Sequence, residues 1–234
     1  MVTAGLTPPE AAPSSDIQRF FAGVLAAMAW FGLGVEIILG LSNSVSKNSS
    51  IAAYLVNYFS LFSIQTNLLV ALVLTLACAR PQAETLLLRP RVQSALVVYI
   101  IVVGVVFELL LRGPKSRGMQ FVSDGVLHDA IPILYVLYWL VFTSKGRLTW
   151  GDPALWLLYP LLFFVYTIAR GAVFGIYPYS FIDVTKLGYP GVFINALVFL
   201  GVFFALGLVL TAIDRALGKR RSRRRNEVGG ASAA

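Results

Sequence analysis

The chain has 234 residues, 58% hydrophobic and 13% charged, with mean hydropathy +0.78 and 19 Lys and Arg against 11 Asp and Glu. A soluble domain carries roughly a quarter charged residues, so this chain has too little polar surface to fold in water. One cysteine, Cys78, excludes an internal disulfide, and one histidine, His128, excludes paired-His haem ligation and a three-His zinc site; no metal or cofactor is expected.

The apolar runs predict an all-α, polytopic membrane protein, a bundle of about six transmembrane helices. About 20 apolar residues cross a bilayer as a helix, and the runs show none of the alternation of a membrane barrel. In chain order the spans read roughly 17–41, 52–79, 92–112, 119–143, 154–173 and 190–213. Residues 1–16 form a polar N-terminal tail, 17–213 a single transmembrane domain and 214–234 a basic C-terminal tail. The first run follows Glu10 and Asp16 rather than a basic cluster, and reads as a retained helix.

Lys and Arg near helix ends set orientation. With both termini inside, the inner side holds 13 of them and the outer side 6, which places both termini in the cytoplasm. The run Lys219, Arg220, Arg221, Arg223, Arg224 and Arg225 dominates that count and suits anionic lipid headgroups. No folded basic domain is present to bind nucleic acid.

Polar side chains at membrane depth are costly, so each needs a purpose. Glu36 lies late in span one. In span two, Ser60, Ser63, Thr66 and Asn67 fall within about a 120° arc at 100° per residue, with Gln65 pointing elsewhere, and suggest a polar cavity. In span three, Glu108 and Arg112 have the i, i+4 order of a helix-face ion pair. In span four, Asp124 and His128 share a face with Tyr135 and Trp139. Pro132 there lacks an N–H and should kink the helix, freeing the carbonyl of His128. Arg170 ends span five, where a cation complements the helix dipole. The aromatic loop of Tyr177, Pro178 and Tyr179 is expected at the outer interface.

These residues permit nucleophilic chemistry. A hydroxyl, Ser63 or Thr66, would be activated by His128 as general base, with Asp124 orienting the imidazole and Glu36 or Glu108 as alternatives. An oxyanion donor is also required, from Asn67 or from Asn195 of span six. Asn67, Asn195, Tyr135 and Glu36 make up the expected substrate-binding set.

The polar stripe SIQTN, the segment LHDAIPIL and the later YPYSFID, in that order across six helices, resemble bacterial relatives of the androgen-induced-gene family. The resemblance covers roughly residues 17–213. It implies a multi-pass protein of the bacterial plasma membrane and an intramembrane hydrolase of fatty acid esters of hydroxy fatty acids, with a Thr in an early helix and a His in a middle one. The family's threonine context fits Ser63 about as well as Thr66, and the family's segment before the proline is richer in histidine. The reading is an intramembrane lipid ester hydrolase; the alternative is a transporter or lipid-binding protein that uses buried charges as a pathway.

Overall fold

The computed structural model describes residues 15–113 and 117–231, and among them there is no strand. The polar N-terminal residues 1–14, Lys115 and the last three residues lie outside the described residues. Among the described residues there are nine α-helices: α1 Ser15–Ser46, α2 Ile51–Phe59, α3 Phe62–Ala79, α4 Pro90–Val106, α5 Met119–Asp124, α6 Ile131–Phe142, α7 Asp152–Trp156, α8 Leu158–Phe174 and α9 Val184–Ala231. They make six spans long and apolar enough to cross a membrane, from Asp16–Ser46 to Val184–Arg220. The chain is an all-α polytopic membrane bundle, as its composition predicted.

Span three is the centre. From Gln93 to Ile100 every residue of α4 is buried, as expected of a helix that is apolar all round. The few polar groups around it tie the bundle together. Trp139 Nε1 donates to Ser94 (2.8 Å), Thr143 to Gln93 (2.8 Å), and the Tyr99 hydroxyl to the Trp156 carbonyl (2.6 Å). Lipid tails are as apolar as the helices, so cross-helix bonds and close packing hold such a bundle. Its outer face carries Ile133, Leu137, Leu155, Leu162, Ile194 and Val198, all more than half exposed.

Span two departs from the single helix predicted over 52–79. It breaks after Phe59, where Ser60 sends its hydroxyl back to the Val56 carbonyl (2.5 Å) and Leu61 turns extended, with φ −84° and ψ 130°. A serine bonding back to its i−4 carbonyl competes with the helix ladder and bends it. Gln65 repairs the break, because its amide donates to the Phe59 carbonyl left without a helical partner (2.9 Å). The first turn of α3 therefore begins inside the bundle, and Ser63 stands on it.

Two wide π-helical turns follow, Phe107–Leu111 at the end of α4 and Gly125–Ala130 between α5 and α6. The second stands where Pro132 denies the His128 carbonyl its donor, so the expected kink takes the form of a widened turn.

Candidate functional site

His128 sits on the widened turn and is 9% exposed. Its ring stacks on Phe107 of the facing π turn, centroids 3.8 Å apart and planes within 11°. Nδ1 lies 3.2 Å from the Asp124 backbone carbonyl. A carbonyl only accepts, so the bond requires the proton on Nδ1 and leaves the Nε2 lone pair as the basic site.

The same helix bears a correction. Asp124 was expected to orient the imidazole through its carboxylate, but the acceptor is its peptide oxygen. The carboxylate instead takes the Gln120 amide (3.0 Å) and faces Glu36. Glu36 in turn accepts from Gln120 (2.7 Å) and Ser123 (3.2 Å). Glu36 thus belongs to a polar cluster joining α1 to α5, and not to the wall of the cavity described next.

One cavity of about 90 Å³ lies between the helices beside the α3 break. By that measure a single water needs roughly 10–15 Å³, so several methylene groups fit. Phe62, Val103, Phe163, Phe199 and Phe203 supply its apolar wall, and its polar side chains are three: Ser63, His128 and Tyr179. Of the two candidate nucleophiles, Ser63 shares the lining of this cavity with His128, and Thr66 does not. Thr66 is fully buried, and its hydroxyl faces the Tyr159 phenol without reaching hydrogen-bond geometry.

Tyr179 is the residue that sequence reasoning misplaced. Its loop was expected to rest at the interface, yet the ring turns inward and stacks on Phe181 (5.1 Å, 5°). Asn195 holds that loop by donating to the Phe181 carbonyl (2.8 Å). The Ser63 N–H donates to the Tyr179 oxygen at 3.5 Å, and the Ser63 hydroxyl faces the same phenol. Burial pushes the phenol's pKa up, so it keeps its proton. The available signal was YPYSFID itself, whose tyrosines suit an interface and a buried hydrogen bond equally.

The expected oxyanion donors are occupied elsewhere. Asn67 donates to the carbonyls of Ser63 (2.9 Å) and Leu127 (3.3 Å), stitching α3 to the π turn. Asn195 serves the loop. Tyr135 is fully buried against Tyr138 and is not on the cavity wall. These three support the site's walls rather than face a substrate.

A groove between α4 and α6 is lined by Val105, Leu109, Ile133 and Leu137 together with His128. The predicted Glu108–Arg112 pair stands at its mouth, joined by Asp129 (2.8 Å from Arg112). Hydrogen bonds donated to Glu108 and then to Asp129 hold the Arg112 guanidinium above its ordinary pKa. His128 lines both the groove and the cavity.

Compared with protein families, curated proteins and solved structures, the chain matches none.

Proposed function

We propose that the chain is an intramembrane lipid ester hydrolase of the bacterial plasma membrane, with both termini in the cytoplasm. One observation carries the reading: Ser63, His128 and Tyr179 are the polar side chains of one otherwise apolar cavity, with the imidazole held in the tautomer that leaves Nε2 basic.

In the proposed reaction Ser63 Oγ attacks the ester carbonyl carbon while His128 Nε2 takes its proton. The carbonyl π pair moves onto oxygen, where the Tyr179 phenol donates a hydrogen bond. Collapse expels the alcohol, which leaves with the proton from His128, and an acyl group remains on Ser63. Water then attacks the acyl carbon as His128 takes a proton from it; the acid departs and Ser63 regains its proton. Chain access through the groove beside His128 lets a lipid reach the site laterally. Fatty acid esters of hydroxy fatty acids are the substrate class supported by the resemblance of SIQTN, LHDAIPIL and YPYSFID. The basic run after Lys219 is proposed to hold anionic headgroups on the cytoplasmic side.

The test is covalent labelling of the purified protein by a fluorophosphonate, expected at Ser63 and absent from Ser63→Ala. A second reading draws on the broken span two, since interrupted helices are common in transporters. Solute uptake into vesicles with no labelling would favour that reading and end the first.

A further inference from the structure

Arg170 stands apart from the proposed chemistry. Its side chain is buried, with the residue 8% exposed, in the last turns of α8. The guanidinium donates to Asn57 Oδ1 of α2, its Nε has no hydrogen bond, and no carboxylate lies within ion-pair distance among the described residues. No backbone carbonyl takes it either, so the helix-dipole role expected from sequence is not its main contact. One turn below on the same face, Thr167 is 1% exposed and its hydroxyl is also without a hydrogen bond.

An arginine does not shed its charge at any ordinary pH, and an unpaired charge buried at a membrane edge is costly. A neutral amide oxygen compensates only part of it. Arg170 lies four residues before the end of α8, about 6 Å along the helix axis, beside the lipid-facing Val173 and Phe174 (74% and 69% exposed). Ends of membrane-spanning helices lie near the headgroups.

We propose that Arg170, held by Asn57, forms an oxyanion-binding site at the non-cytoplasmic end of α8, which takes the phosphate of an anionic lipid headgroup. The planar guanidinium suits phosphate oxygens, and Asn57 holds the fork in place. The site does not depend on the hydrolase reading.

The experiment uses the full chain in bilayer discs of phosphatidylcholine alone, with added phosphatidylglycerol, or with added inorganic phosphate, and reads the thermal unfolding midpoint. The wild-type midpoint is expected to rise by roughly 3 °C with phosphatidylglycerol, the size of a modest binding increment for a chain of this length. Arg170→Gln should lose that rise. Asn57→Asp supplies an internal counter-charge, so it should raise the midpoint in pure phosphatidylcholine and abolish the response. The basic C-terminal tail is present in every variant and contributes equally to each, so the rise ascribed to Arg170 is the difference between wild type and Arg170→Gln; a rise shared by both is the tail's and is lost when residues 214–234 are removed. A rise with inorganic phosphate alone assigns the same site to a soluble anion. No rise in the wild type, an equal rise in Arg170→Gln, or a full rise in Asn57→Asp overturns the proposal; should Arg170→Gln fail to fold, Asn57→Asp decides.

Discussion

The imidazole of His128 is positioned by the peptide carbonyl of Asp124, 3.2 Å from Nδ1, rather than by a carboxylate. The bond is made inside one widened helical turn, so the element that carries the imidazole also orients it. A neutral acceptor stabilises the imidazolium less than an aspartate would, but fixes the tautomer as firmly.

Asp124→Asn is therefore expected to keep most ester hydrolysis, because the peptide oxygen is unchanged. His128→Ala should abolish it while the protein still inserts. A turnover assay on both purified variants decides. Equal loss in the two would restore the carboxylate as orienter, and near-normal turnover in His128→Ala would end the mechanism. With a neutral imidazole required as base, the rate should fall as pH drops and His128 is protonated.

Ser63→Ala should be as damaging as His128→Ala, and the double variant little worse than either, since both serve one step. Thr66→Val should keep activity. It removes a buried hydroxyl that lacks a hydrogen bond, so the thermal midpoint should hold or rise, the cost of such a group being about 1–3 kcal/mol. Lost turnover in Thr66→Val with intact Ser63→Ala would exchange their roles.

Tyr179→Phe keeps the ring stacked on Phe181 and removes only the hydroxyl. Losing one oxyanion donor lowers kcat by about 10²–10³, with KM little changed. A change confined to KM would make Tyr179 a substrate contact instead.

Gly104 is required by a close approach. A Cβ there would lie 3.0 Å from the His128 carbonyl and 3.2 Å from Pro132 Cβ. Gly104→Ala should therefore shift the π turn, costing about 1–3 kcal/mol of stability as overpacking does, and reduce turnover more than Ala substitutions remote from the cavity. Unchanged stability and rate would show that the turn yields freely.

Replacing Glu108 and Arg112 together with Gln should leave activity mostly intact. Both side chains are more than a third exposed at the groove mouth, where ion pairs contribute little. Complete loss of turnover with normal expression would bring the pair into the site.

The sequence alone determined the class, the number of spans and the chemistry available. Hydropathy and charge content are summed along the chain and need no knowledge of neighbours, and a lone histidine four residues before a proline marks its own helix defect. The Glu108–Arg112 pair was legible because i, i+4 geometry is local. What tertiary structure decided is contact between distant segments. Ser63 and Thr66 are three residues apart and chemically alike; only the break at Ser60–Leu61, mended by Gln65, brings the first to the cavity and leaves the second in the core. Asn67 and Asn195 looked like donors for a substrate until their amides were seen spent on carbonyls of Ser63, Leu127 and Phe181. Tyr179 turns inward because its loop is pinned to α9, a fact absent from its own neighbours in sequence. Local pattern fixes what a segment is, whereas which side chains meet is set by how segments pack, where each buried polar group must find a partner that no single segment contains.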